Sequence, residues 1–138
     1  MSIVRDMSPD EVQPDEMQPE EMQIASSCLF CRIAAREIPA DIVRESDRLV
    51  AFRDTNPQAP THILLIPKEH IRSIAEIEDR HGDLLADVAQ AATQLAQAEG
   101  IAESGWRLVT NVGPDAGQSV FHLHFHLLGG RGMSWPPG

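Results

Sequence analysis

The nine residues VFHLHFHLL, from Val120 to Leu128, constrain this chain more than any other stretch. Three histidines, His122, His124 and His126, recur at every second position with apolar residues between them. Successive side chains on a strand leave opposite faces. An extended segment here therefore presents all three imidazoles on one side and Phe121, Leu123, Phe125 and Leu127 on the other. Neighbouring rings would stand about 7 Å apart. One histidine alone would be read as structural, but a face made solely of imidazole is costly to bury unless every ring has a partner.

Two chemistries compete for such a face: a three-histidine metal cage, or an organic site in which one imidazole attacks while others manage protons. The preceding segment NVGPDAGQS, residues 111–119, favours the second. Gly113 and Gly117 let backbone N–H groups approach an oxyanion, and Asn111, Gln118 and Ser119 add polar donors. A metal cage needs no such loop; a phosphoryl group does.

The rest of the chain supplies a small α+β frame. With 138 residues and 42% apolar content it is expected to form one domain with a modest core. CLFCRIAAREI, from Cys28, reads as a short helix closed by Pro39. Leu49 to Phe52 and His62 to Ile66, the latter ended by Pro67, read as strands. A longer helix is expected from Asp83 to Glu99, with Leu84, Val88, Ala91, Leu95 and Ala98 on one stripe, Gly82 before it and Gly100 stopping it. Trp106 to Asn111 and Val120 to Leu128 complete about five strands, the late ones close enough for antiparallel pairing. His81, just before the long helix, has no partner visible in sequence and is expected to be solvated.

Charge and apolar runs narrow the partners. A net charge of −10 argues against a nucleic-acid duplex, although one small nucleotide could still be held by backbone N–H groups and histidines. No run approaches the roughly 20 apolar residues of a membrane span, and the N-terminus is acidic, so a cytoplasmic protein is expected. Residues 1–25 carry seven carboxylates against Arg5, which accounts for six of the ten net negative charges. They contain the near-repeat PDEVQ, PDEMQ, PEEMQ from Pro9, Pro14 and Pro19, too poor in apolar surface to offset ordering entropy, and read as a disordered acidic extension to a domain spanning 26–138.

Beyond the histidines, IPADIVRESDRLVAFRDTNPQAPTHILLIPKEHI from Ile38, GQSVFHLHFHLLGGR from Gly117 and the ending WPPG resemble the histidine triad nucleotide-binding proteins, in their phosphoramidase branch. The resemblance spans Cys28 to Gly138. It implies an antiparallel five-stranded sheet with two helices, extended across a homodimer. It also implies hydrolysis of the bond between the α-phosphorus of a purine nucleotide and an amine. By position, His124 would be the nucleophile that forms a nucleotidyl-histidine intermediate. An imidazole with a pKa of about 6.5 is largely neutral near pH 7, which suits that role. His126 would donate to phosphate oxygens, Ser119 would help protonate the departing amine, His62 would relay protons, and His122, the first of the triad, would complete the catalytic set.

Carried over in the same way, Asp54 would accept the ribose hydroxyls, Phe30, Ile33, Ile38 and Phe52 would enclose the base, and Trp135 would reach the site of the partner subunit. Asn111, Gly117 and Gln118 join the nucleotide-binding set. Ser134 departs from the pattern, since close relatives often have histidine there.

Cys28 and Cys31 form a CxxC pair, by itself either a metal half-site or a redox pair. The resemblance implies a structural zinc on Cys28, Cys31, His70 and His122, a normal closed tetrahedral set, with no cofactor required for catalysis. Two further functions stay open: a dinucleoside polyphosphate hydrolase, and a nucleotide-sensing interaction protein with incidental turnover.

Overall fold

The computed structural model describes residues 27–138; the acidic extension over 1–25 lies outside the described residues. Five strands form one antiparallel sheet: β1 (Ile42–Glu45), β2 (Leu49–Arg53), β3 (Thr61–Pro67), β4 (Trp106–Val109) and β5 (Phe125–Gly129). Their spatial order is β1-β2-β3-β5-β4. A six-residue helix, α1 (Leu29–Ala34), covers one face, and a 17-residue helix, α2 (Gly82–Ala98), covers the other.

Both faces being covered explains the strand composition. On β2, Leu49 and Ala51 meet the α2 side while Val50 and Phe52 meet the α1 side. Ile63 and Leu65 of β3 likewise face α2, and Leu64 and Ile66 face α1. All seven residues of β3 are buried, as expected of a central strand sealed on two sides. The α2 stripe carries Leu84, Val88, Ala91 and Leu95 as its spacing predicts; Ala92 and Ala96 join them, and Ala98 is exposed.

Several boundaries differ from the sequence reading for local reasons. Helix α1 ends before Pro39 because Arg36 turns left-handed (φ 64°), and Glu37 N–H then returns to the Arg32 carbonyl at 2.8 Å. Strand β1, undelimited in the sequence, is a half-exposed edge with a register irregularity between Ile42 and Arg44. Strand β4 stops at Val109; the Thr110 hydroxyl then donates to the His124 carbonyl at 2.8 Å.

Strand β5 begins at Phe125 and not at Val120. Its pairing with β3 ends where Leu65 meets Phe125. The residues before it run alongside the segment after Pro67 instead, with Leu123 N–H donating to the Ile71 carbonyl. Leu123, Phe125 and Leu127 reach the α2-side core as alternation requires. Phe121 does not: it is 44% exposed, under the Arg72 guanidinium at 5.0 Å from the ring centre.

His81 is a further correction. It is 3% exposed, its Nδ1 accepts from Glu78 N–H at 2.9 Å, and its Nε2 lies 3.6 Å from a Glu69 carboxylate oxygen. The short 3-10 turn Asp79–His81 runs straight into α2 and turns the ring inward against Glu78 and Glu69, a placement that local sequence does not signal.

Candidate active site and metal centre

The α1 face of the sheet holds a cavity of about 670 Å³, within the usual range for a small-molecule site. Phe30, Ile33, Ile38, Phe52 and Leu64 make its apolar wall, and Asp54, Ser119, His124 and His126 supply the polar groups. Phe30 is edge-on to His124 at 5.1 Å and to Phe52 at 5.6 Å, so one aromatic ring joins the apolar wall to the histidines.

Hydrogen bonds fix which nitrogen of each histidine carries its proton. His124 Nδ1 lies 2.7 Å from the His122 carbonyl, an acceptor only, so Nδ1 holds the proton and the Nε2 lone pair is left free. Gln58 N–H donates to His62 Nδ1 at 3.0 Å, which places the His62 proton on Nε2. That proton points to His126 Nδ1 at 2.8 Å, with Asp54 Oδ2 3.4 Å away. His126 therefore accepts on Nδ1 and carries its own proton on Nε2. The outcome is one imidazole with an open lone pair beside another that is a donor, their ring centres 5.1 Å apart. Convergence of the rings makes this shorter than the spacing of an ideal strand.

All three rings are biased toward the neutral form. Burial pushes His126 down to about 4, and proximity to His124 and His62 adds to it while Asp54 opposes. Burial likewise lowers His124, against the bond to the His122 backbone, and lowers His62 against the pull of Asp54. The unfolded rings take up protons near pH 6.5, before the folded ones do, so stability falls as pH drops. The melting midpoint is expected to decline between pH 6.5 and about 4 through these groups. His126→Asn should flatten that slope in calorimetry; an unchanged slope would refute the assignment.

Asp54, His62 and His126 also lie close enough to suggest a metal, with ligand atoms within 4.8 Å of one another. The Gln58 bond argues otherwise, because it leaves a proton and not a lone pair on His62 Nε2.

Cys28, Cys31, His70 and His122 form a second group, also within 4.8 Å. Here the donors fit a cation. His122 Nε2 donates to the Pro67 carbonyl at 2.8 Å, which turns the Nδ1 lone pair toward Cys28 and Cys31 Sγ at 3.3 and 3.4 Å. His70 Nδ1 stands 3.1 Å from Cys31 Sγ. Tetrahedral zinc with ordinary Zn–S and Zn–N bonds separates sulfur from nitrogen by about 3.5 Å. The Cys28 thiol is drawn well below its ordinary range, first by the Cys31 hydrogen bond and further by His122 and His70, against burial. A thiolate is the form a metal binds.

Other expected residues take different places. Gln118 is a loop brace: its oxygen accepts from Gly113 N–H at 3.0 Å, and its NH₂ donates to the Arg72 and Val120 carbonyls. Gly117 holds a left-handed turn (φ 83°), and Asn111 is half-buried. Neither of these nor Gln118 lines the cavity within one chain. Trp135 is 82% exposed, with the Arg107 guanidinium 5.9 Å from its ring centre. The Pro67 and His122 carbonyls and the Gln58 N–H escaped the sequence reading, because backbone groups leave no trace in residue identity.

A five-stranded antiparallel sheet between two helices, with alternating histidines turned into one cavity, defines a small α+β protein built around a histidine site. The chain belongs to the HIT domain family, which matches residues 35–133. It is 49% identical over 115 residues to the 14 kDa zinc-binding protein of Zea mays, covering 82% of this chain and 89% of the relative. It is 48% identical over 115 residues to the adenylylsulfatase HINT1 of Arabidopsis thaliana, covering 82% of this chain and 78% of that protein. Among solved structures, a HIT family hydrolase from Legionella pneumophila Philadelphia 1 superposes with a TM-score of 0.80 at 56% identity, covering 81% of this chain and all of that one. No helix among the described residues is long and apolar enough to cross a membrane.

Proposed function

We propose that the protein hydrolyses purine nucleotide phosphoramidates through a covalent intermediate on His124. The observation that carries this reading is the pairing of proton states: His124 offers a lone pair on Nε2 and His126 offers a proton on Nε2, and both line one cavity with an apolar wall. His124 Nε2 would attack the α-phosphorus, the phosphorus–nitrogen bond would break, and the amine would leave with a proton delivered with the help of Ser119. Water then cleaves the phosphorus–His124 bond, releasing nucleoside monophosphate and restoring the imidazole. His126 Nε2–H stabilises charge on the phosphoryl oxygens, and His62 passes protons behind it. Asp54 would hold the ribose, with the base against Phe30, Ile33, Ile38 and Phe52.

Cys28, Cys31, His70 and His122 would hold a structural zinc. When bound, it closes a tetrahedral Cys2His2 centre and supplies folding energy in place of chemistry on substrate. The names of the maize relative and of the Legionella structure agree with zinc binding and hydrolysis respectively. In this reading the protein works in the cytoplasm as a homodimer with the sheet extended across it, with Asn111, Gly117 and Trp135 completing the nucleotide site in the dimer while Gln118 braces the loop behind them.

Parallel incubation with adenosine 5'-phosphoramidate, diadenosine polyphosphates and adenylyl sulfate tests the substrate class. Release of AMP is expected fastest from the phosphoramidate. Faster cleavage of a dinucleotide or of adenylyl sulfate moves the assignment to that leaving group. Cleavage of none favours a nucleotide-sensing protein.

A further inference from the structure

Glu99, half-buried at the C-terminal cap of α2, makes contacts that the proposed chemistry does not use. Its two carboxylate oxygens accept from Arg53 Nη1 and Nη2 at 3.0 and 2.8 Å, a fork-to-fork pair, and the Thr61 hydroxyl lies 3.3 Å from Oε1. A carboxylate at a helix C-terminus faces the unfavourable end of the helix dipole, and the last turn of α2 contains no basic residue. Helix stability alone does not account for an acid there.

What Glu99 holds is informative. Arg53 immediately precedes Asp54, and Thr61 immediately precedes His62. Strand alternation sends Thr61 and the Arg53 guanidinium toward Glu99 while Asp54 and His62 face the cavity side, although Arg53 also borders the cavity, where its Nε lies 3.7 Å from Asp41 Oδ2. These four residues are the two stems of the loop 55–60, joined by Asp54 N–H donating to the His62 carbonyl at 3.0 Å. The Asp54 carboxylate accepts from Asn56 N–H at 2.8 Å, and His62 Nδ1 accepts from Gln58 N–H, so both side chains take their bearings from that loop. The Arg53 guanidinium holds the Glu99 carboxyl below its ordinary range, which keeps the pair ionised.

We infer that Glu99 is a positioning residue: by gripping Arg53 and Thr61 from behind the sheet, it sets the spacing between Asp54 and His62 in the nucleotide site. The inference rests on the nucleotide reading for the identity of the ligand, whereas the positioning of His62 can be followed without any ligand.

The test uses the full chain carrying Glu99→Gln, with Thr61→Val as a milder variant and the exchange Arg53→Glu with Glu99→Arg as a rescue. AMP affinity is measured by calorimetry, and the histidine ring protons are followed by ¹H–¹⁵N spectra. Glu99→Gln is expected to weaken AMP about tenfold, since small misplacements of orienting groups carry such penalties. Thr61→Val should act in the same direction but less, the exchange should recover most of the affinity, and the His62 Nε2–H resonance should move in step. A lowered melting midpoint with wild-type AMP affinity and an unmoved His62 resonance overturns the inference. If Glu99→Gln does not fold, a wild-type affinity and resonance in Thr61→Val overturns it alone. Failure of the unaltered chain to bind AMP counts against the nucleotide reading, and the ring resonance then decides the positioning role.

Discussion

His124→Ala is expected to reduce kcat toward adenosine 5'-phosphoramidate by about 10⁴-fold or more, the scale seen when a covalent nucleophile is removed. The reason is specific to this ring. Its Nδ1 is committed to the His122 carbonyl, so Nε2 is its open nitrogen, and burial keeps it unprotonated. His126 cannot substitute, because its Nδ1 accepts from His62 and its Nε2 carries a proton. Rapid-quench mass spectrometry of the unaltered protein should show an adenylylated His124 peptide that is absent from the variant. Full turnover by His124→Ala, with the fold verified by circular dichroism, would exclude covalent catalysis at this position. Wild-type behaviour of the variant in cells, despite lost turnover, would favour a sensing role.

The second large effect concerns the cysteine pair. Metal analysis is expected to find about one zinc per chain, and chelation or Cys28→Ser with Cys31→Ser should lower the melting midpoint by about 10 °C or more. Structural zinc binding in small domains is worth on the order of 10 kcal/mol, comparable with the whole stability of an ordinary domain. The loss should be uneven. Hydrogen exchange should accelerate first over 28–34, since α1 is a six-residue helix and α2 has its own apolar contacts on the opposite face. Equal melting of stripped and loaded protein would show that the four residues hold nothing of structural consequence.

Much of this site was legible because period-two alternation survives wherever the chain is extended. His122, His124 and His126 turn toward the α1 side although only His126 lies within β5, since the segment before Phe125 keeps its pleat against the residues following Pro67. Leu123, Phe125 and Leu127 obey the same rule, whereas Phe121 escapes it where the sheet no longer provides a surface to pack on. The long helix was legible from its stripe and from Gly100, which takes a left-handed conformation at φ 76°. Hidden features depended on partners distant in sequence. Arg53 and Glu99 are 46 residues apart, and neither shows its pairing through neighbours or period. His81 looked solvent-facing because nothing local indicates that a turn will bury it against Glu69. Gln118 looked like a ligand donor because residue type cannot reveal that its amide is already occupied by loop carbonyls.

Helix α1 has consequences out of proportion to its six residues. So short a segment has almost no helical tendency in water, and nothing in its own sequence would keep it formed. Phe30 and Ile33 lie on Val50, Phe52, Leu64 and Ile66, while the two sulfurs at its beginning approach His70 and His122. Remove that staple and the sheet would be left with an oily, uncovered side and a binding cleft lacking one wall. The residues that cover the cavity and the cysteines that would fasten them thus occupy the same few positions, so that losing a metal proposed there should open the cavity before it unfolds the molecule.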